Sequence, residues 1–271
     1  MSESFDIIII GGGIAGTSAA LTAMNRGKRT AVIANPMESE SLYKAEKITN
    51  YPGLAGLSGR EMSELLRRQL VGSGAKLIRG RALNVMNMGG SFGVAVGNDF
   101  YEAKAVILAL GITREKLYPG EAEFLGRGVS YCATCDGMLY RGKTVALIGN
   151  NREAYDDADF LRGIGCNVLH FRDNLRYEIR GGMKADKLIA GGVEHPVDGV
   201  FIIKDSISVS KLMDGLEYEN GAIVTKRDMS TSIPGVFACG DCTGKPYQLA
   251  KAAGEGNIAA LSACEYVKEN K

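Results

Sequence analysis

With 271 residues, 45% of them apolar and 23% charged, the chain has core material for one large domain or two ordinary ones. A net charge of +1 excludes a general pull toward nucleic acid or an acidic membrane surface, and no apolar run reaches the roughly eighteen residues of a membrane span. Six cysteines are too few for a disulfide scaffold at this length, and the acidic stretch from Met1 to Asp6 is not a secretory leader, so a cytoplasmic, reducing setting is expected.

The run Phe5 to Ile10 is apolar and rich in β-branched residues, as in a parallel strand buried on both faces. Gly11-Gly12-Gly13-Ile14-Ala15-Gly16 follows at once, and an Ala-rich helix then runs to about Asn25 and stops at Gly27. This is G-x-G-x-x-G in a strand–turn–helix setting. Gly11 permits the tight turn, Gly13 lets a pyrophosphate approach the backbone, and Gly16 lets helix and strand pack closely. A dinucleotide diphosphate is expected on the helix N-terminus, held by free N–H groups and the dipole.

Arg29 to Ala34 predicts the second strand. Asn35-Pro36 stands where an acidic ribose ligand is usual, and the nearest carboxylate is Glu38. Asn50-Tyr51-Pro52-Gly53 marks a turn, and residues 59–73 read as an amphipathic helix with Leu65, Leu66, Leu70 and Val71 on its core side. Ala75 to Tyr101 suggests a small antiparallel meander, Ala103 to Gly111 a buried strand, and Gly120 to Val129 a polar connection.

The connection leads to Cys132-Ala133-Thr134-Cys135-Asp136-Gly137. Two cysteines at this spacing can close and reopen a small disulfide ring, and the adjoining carboxylate can move a proton as a thiolate leaves or attacks. The same spacing is also half of a structural zinc site, which Cys239 and Cys242 could in principle complete.

A second Rossmann-like half then opens: strand Lys143 to Ile148, turn Gly149 to Ala154, helix to about Arg162, strand Asn167 to Phe171. Its phosphate logic fails. Asn151 replaces the middle glycine, and Glu153 puts negative charge in the first helical turn, where phosphate oxygens would lie. From Gly142 to Asp205 there is room for about two βαβ units, less than a full nucleotide domain. Residues 215–228 suggest a hairpin around Glu219-Asn220-Gly221. Ile233 to Asp241 gives a strand ending in Gly-Asp, and Gln248 to Val267 a long helix. An Asp beside such a helix start can accept hydrogen bonds from ribityl or ribose hydroxyls.

Taken together, these motifs resemble the low-molecular-weight thioredoxin reductase family of flavoproteins over nearly the whole chain. They are the Gly11/Gly13/Gly16 fingerprint, Asn50-Tyr51-Pro52-Gly53, and Gly126 to Ser130 leading into Cys132-Ala133-Thr134-Cys135-Asp136-Gly137. Ser232 to Asp241 and Tyr247-Gln248 before Ala252-Ala253-Gly254-x-Gly256 complete the set. The resemblance implies an α/β fold of two Rossmann-like, three-layer ββα domains, the second shortened. Residues 1–113 with 206–271 would bind FAD, and residues 114–205 would carry the dithiol. Within the family pattern Cys135 faces the flavin, Cys132 attacks the disulfide of the protein substrate, and Asp136 is the acid/base. Cofactor contacts implied in the same way are Gly11, Gly13, Ile14, Ala15, Gly16, Glu38, Asn50 and Gly111, then Gly240, Asp241, Gln248 and Leu249. Cys239 stands where the family has a small apolar residue, so a buried packing role is expected of it.

The departure from the family lies in the central domain. Its own fingerprint reads Gly149-x-Asn151-x-x-Ala154, His170-Phe171-Arg172 keeps one of two arginines of a phosphate-binding cluster, and the segment after it is shortened. This is similar to the ferredoxin-dependent flavin thioredoxin reductases, which use no nicotinamide. It implies an electron path from reduced ferredoxin to FAD, to Cys132–Cys135, to thioredoxin, in a homodimer. The run Arg172, Arg176, Arg180, Lys184, Lys187 reads equally as a docking patch for an acidic ferredoxin or as solvated surface interleaved with Asp173, Glu178 and Asp186. Three alternatives stand beside this path: an NAD(P)H-dependent reductase, a flavin-dependent dithiol oxidase, and a non-catalytic FAD-binding module.

Overall fold

The computed structural model describes residues 3–35, 42–43, 45–54, 56–111, 117–131, 133–172, 174–203 and 212–270, the side chain of Cys135 excepted. The chain divides into two compact units, Met1–Thr113 with Ser208–Lys271, and Arg114–Ile207.

The first unit begins with β1 (Glu3–Ile10), α1 (Ile14–Asn25) and β2 (Thr30–Ala34). Successive side chains of β1 face opposite ways, so Ile7 and Ile9 enter one core while Ile8 and Ile10 enter the other. Both cores are needed because helices cover one face and strands and loops the other. Helix α2 (Gly59–Gly72) starts with a capping box in which Ser58 and Glu61 satisfy each other's backbone N–H groups. Its buried anchors are Met62, Ser63 and Leu70. Val71, expected on the same face, is 59% exposed, because one step along a helix turns a side chain about 100° away from its neighbour.

Strand β3 (Lys76–Arg79) pairs in parallel with β2 at the sheet edge and is not part of the expected meander. The meander itself is β4 (Ala82–Asn87), β5 (Phe92–Val96) and β6 (Asp99–Leu108). Strand β6 is longer than the expected Ala103–Gly111 run at its front end. Its first half pairs antiparallel with β5, while along its length it pairs in parallel with β1.

In the second unit, the expected polar connection before the cysteines contains a short helix, α3 (Glu121–Phe124), which buries both Glu121 and Phe124. Then come β7 (Val129–Ser130), α4 (Ala133–Asp136), a 3₁₀ turn at Gly137–Tyr140, β8 (Thr144–Ile148), α5 (Arg152–Gly163) and β9 (Asn167–Phe171). Among the described residues one βαβ unit is present, β8-α5-β9. A three-stranded antiparallel sheet, β10 (Tyr177–Gly181), β11 (Ala185–Ala190) and β12 (Val193–Pro196), takes the place of a second crossover helix before β13 (Gly199–Ile202). The parallel sheet runs in the order β7-β13-β8-β9. Ala146 and Ile148 face the antiparallel sheet, and Val145 and Leu147 face α5. The unit is thus a three-layer ββα sandwich.

The chain returns to the first unit through a hairpin of β14 (Tyr218–Glu219) and β15 (Ala222–Ile223). Asn220 and Gly221 both have positive φ at its two-residue turn. Strand β16 (Val236–Ala238) pairs in parallel with the last residues of β6, which completes a sheet whose parallel part runs β3-β2-β1-β6-β16. Helix α6 (Leu249–Glu269) packs along α1, tied to it by Ser18 Oγ donating to the Ala253 carbonyl at 2.7 Å and Asn257 Nδ2 donating to Thr22 Oγ1 at 2.8 Å. The architecture is mixed α/β with two Rossmann-like parallel sheets. Among the described residues no helix is long and apolar enough to cross a membrane.

Candidate functional site

The fingerprint turn is built from close approaches that only glycine allows. Gly11 has φ +118°, and a Cβ there would lie 2.1 Å from the Ala109 carbonyl oxygen. A Cβ on Gly16 would lie 1.9 Å from the Gly11 carbonyl oxygen, so α1 can start this close to β1 only with glycine there. Gly13 is different: a Cβ on it would meet no atom within 4 Å, so the space it clears is not filled by the described protein. Gly13 is the N-cap of α1 and gives no side-chain cap, the first turn holds no acidic residue, and Ile14 and Ala15 are buried below it. These backbone N–H groups are left for an anion.

Helix α6 also begins without a side-chain cap, at Gln248, and without an acidic residue in its first turn, where Leu249 is half-buried. Asn50 Nδ2 donates to Gln248 Oε1 at 2.8 Å, which joins two expected cofactor residues 198 positions apart. Gly240 begins a 3₁₀ turn after β16 with φ +82°. The next residue, Asp241, keeps a buried Oδ1 with no hydrogen-bond partner among the described residues. Burial pushes its carboxyl above the usual carboxylate range, Lys251 pulls it down, and Glu255 raises it. A desolvated, unpartnered carboxylate oxygen is costly unless a ligand hydroxyl answers it. Gly111 follows β6 with φ +69°. The space at Gly13, two uncapped helix starts and the waiting Asp241 oxygen fit an FAD. Glu38 lies outside the described residues.

Cys239 and Cys242 are fully buried, Cys239 in the helix-side core and Cys242 in the opposite one. Cys242 Sγ donates to the carbonyls of Cys239 and Leu108 at 3.3 and 3.4 Å. Burial raises the Cys239 thiol well above its ordinary value and the Cys242 thiol to about 11. They are packing thiols, not nucleophiles.

In the second unit, the segment carrying the cysteine pair lies on α5. Ala133 is fully buried beside Leu161, and a Cβ on Gly137 would come within 2.9 Å of Leu161 Cδ2. Cys135 is in α4; Cys132 and the Cys135 side chain lie outside the described residues. Asp136 Oδ2 accepts the Ser130 hydroxyl at 2.6 Å. Tyr131, just before the pair, donates to Glu121 Oε1 at 2.8 Å, and Glu121 Oε2 accepts the Tyr118 N–H at 2.8 Å. Met138 and Leu139, directly after the motif, are 57% and 69% exposed. Sequence reasoning missed Ser130 and Glu121; a hydroxyl two residues before the motif was the available signal for the first.

The start of α5 is closed by its own side chains. Asn151 Oδ1 accepts the Ala154 N–H at 2.8 Å, and Glu153 occupies the first turn. His170 Nε2 makes a hydrogen bond with the Gly149 carbonyl at 3.0 Å and stacks edge-on with Tyr155. In the basic run, Arg180 pairs with Glu178 at 2.7 Å and Lys187 with Glu194 at 3.1 Å.

The pyridine nucleotide-disulphide oxidoreductase family matches the chain over residues 5–194 and 180–256. A thioredoxin reductase from Treponema pallidum (strain Nichols) is 33% identical, with 98% of each chain covered, and one from Bacillus subtilis (strain 168) is 32% identical, with 99% of this chain and 97% of that protein covered. The crystal structure of a ferredoxin-flavin thioredoxin reductase from Clostridium acetobutylicum is 39% identical, covers 99% of this chain and 100% of its own, and superposes with a TM-score of 0.89.

Proposed function

The chain belongs to the pyridine nucleotide-disulphide oxidoreductase family and has the FAD-dependent, thioredoxin-directed disulfide chemistry of its thioredoxin reductases; we propose that its electron donor is reduced ferredoxin and not a nicotinamide. The observation that carries this reading is the Asn151 cap. In a nucleotide site the N–H groups at the start of α5 would hold phosphate oxygens. Here one of them is spent on Asn151 Oδ1, and the Glu153 carboxylate repels an anion from the same turn. The α1 start in the other unit has neither device. The name of the Clostridium structure supports the same donor.

When bound, FAD supplies the redox chemistry that takes electrons from a donor and passes them in pairs to a disulfide. The protein's part is divided between its units. Gly11, Gly13, Ile14, Ala15 and Gly16 cradle the diphosphate, with Asp241 on a cofactor hydroxyl and Asn50 with Gln248 at the start of α6. Cys135 would face the flavin and Cys132 would attack the thioredoxin disulfide, forming a mixed disulfide as one thioredoxin thiolate leaves; Cys135 then attacks Cys132 Sγ and the second thioredoxin thiolate leaves. Asp136, oriented by Ser130, supplies and removes the protons. The basic run Arg172, Arg176, Arg180, Lys184 and Lys187, in and around β10 and β11, is the docking face for an acidic ferredoxin, and the working form is a cytoplasmic homodimer.

The test follows the visible flavin band anaerobically while NADPH, NADH or chemically reduced ferredoxin is added to separate samples. Bleaching by ferredoxin alone is expected. Rapid bleaching by NADPH would overturn the donor assignment and leave the thioredoxin-directed chemistry standing.

A further inference from the structure

The Gly240-Asp241 turn is gripped from one side by two residues of α6. Lys251 Nζ donates to the carbonyls of Gly240 at 3.1 Å and Gly244 at 2.7 Å and to Thr243 Oγ1 at 3.0 Å, which uses all three of its protons. Glu255, one helical turn on, accepts the Gly240 N–H at 2.9 Å and lies 3.0 Å from Thr243 Oγ1 and 3.2 Å from Lys251 Nζ. Both side chains are largely buried, 18% and 16% exposed. The two polar groups of Gly240 are therefore fixed by opposite charges of one ion pair, and Gly240 itself stands in the left-handed region, with φ +82°. An i,i+4 pair on a helix surface contributes little; this one is largely buried and makes three charge-assisted hydrogen bonds to backbone groups.

We propose that Lys251 and Glu255 are positioning residues for the flavin cofactor: by clamping Gly240 on its N–H and its carbonyl, they aim the Asp241 carboxylate at the cofactor. The clamp rests on the FAD assignment and goes beyond it. Without it the turn keeps its sequence but loses the bonds that hold Asp241 in a single orientation. The Lys251 ammonium also opposes the upward push that burial gives the Asp241 carboxyl.

The experiment follows FAD release from the full-length holoenzyme after dilution, by the rise in free-flavin fluorescence, together with the visible circular dichroism of the bound flavin. Lys251→Met and Glu255→Ala are each expected to release FAD at least about tenfold faster than the parent, the loss that goes with a charge-assisted hydrogen bond. Asp241→Asn is expected to do the same, and Lys251→Met in the Asp241→Asn background should add no further acceleration. Lys251→Arg, which keeps a donor for the carbonyls, should restore slow release, and Glu255→Gln, which keeps an acceptor for the Gly240 N–H, should fall between and serve where Glu255→Ala does not fold. Parental release and an unchanged flavin signal in Lys251→Met would overturn the proposal. So would independent, multiplying effects of Lys251→Met and Asp241→Asn. A parent protein that holds no flavin as purified and takes up none when FAD is added would instead indict the FAD assignment.

Discussion

Ser130 donates its hydroxyl proton to Asp136 Oδ2 at 2.6 Å, closing a side-chain bridge over the five positions that contain the cysteine pair. Ser130 ends β7 and is buried, so the donor is anchored to the sheet while Asp136 sits at the end of the short helix α4. A carboxylate fixed in this way can serve as proton donor only in the orientation the serine allows. Ser130→Ala is therefore expected to lower kcat for thioredoxin reduction about tenfold, and Asp136→Asn about a hundredfold or more. FAD content should be unchanged in both. Steady-state turnover with reduced ferredoxin as donor measures it; an unaltered kcat in Ser130→Ala would remove the serine from the mechanism.

Met138 and Leu139 hold two large apolar side chains in water directly after the cysteine motif. Their neighbour Gly137 is pressed on Leu161 of α5, so the turn cannot fold them inward. Exposed apolar groups at such a place fit the rim of a partner contact. Leu139→Ser is expected to raise KM for thioredoxin about tenfold with kcat within a factor of two, and to leave flavin reduction by ferredoxin untouched. A drop in kcat at constant KM would assign Leu139 to the chemistry or to local packing instead.

What the sequence made legible was local. Strand, glycine turn and helix at residues 5–25 follow from periodicity and glycine spacing, and the structure has β1, the turn at Gly11 and α1 there. The Asn220-Gly221 turn was equally plain, because two consecutive positive-φ positions are written in residue types. What failed was partner choice. Nothing in Lys76–Arg79 says that its neighbour is β2 in parallel and not β4 in antiparallel, since both present alternating faces. Nor does the segment after Phe171 announce that an antiparallel sheet will replace a helix. Lys251 and Glu255 read as an ordinary surface pair until the fold brings the Gly240 turn against them, a contact eleven residues away in sequence for Lys251 and fifteen for Glu255. Asn50 and Gln248 meet only through tertiary structure.

Asn151 is a cap as well as an obstacle. Its Oδ1 satisfies the Ala154 N–H, and Ala154 is fully buried under α5. Asn151→Ala leaves that N–H without its side-chain acceptor and is expected to cost about 1 kcal/mol, read as a lower urea midpoint, whereas Asn151→Gly should cost only a few tenths. Ferredoxin-driven turnover should survive both changes. If Asn151→Ala were as stable as the parent, the cap would contribute nothing and the argument from it against a phosphate at this turn would weaken with it.

The buried thiols should make the first unit less stable at alkaline pH. Burial holds Cys242 protonated to about 11 against an ordinary value of 9.0, and raises Cys239 in the same sense. A group whose folded value lies above its unfolded one favours the folded state fully below the unfolded value. Its contribution is then lost as the unfolded chain deprotonates first. Between pH 9 and 11 the Cys242 thiol alone should cost about 1.4 kcal/mol of stability per pH unit. Cys242→Ala should flatten that slope, although it lowers stability at neutral pH by opening a cavity. At pH 8 only about one Cys242 thiol in a thousand is ionised, so iodoacetamide should leave it and Cys239 unlabelled in the native, reduced protein while Cys132 and Cys135 react. Peptide mass spectrometry before and after unfolding distinguishes the two pairs. Labelling of Cys239 in the native state at the rate of Cys132 would mean that this thiol is open to solvent and that its place in the core is not what keeps it inert.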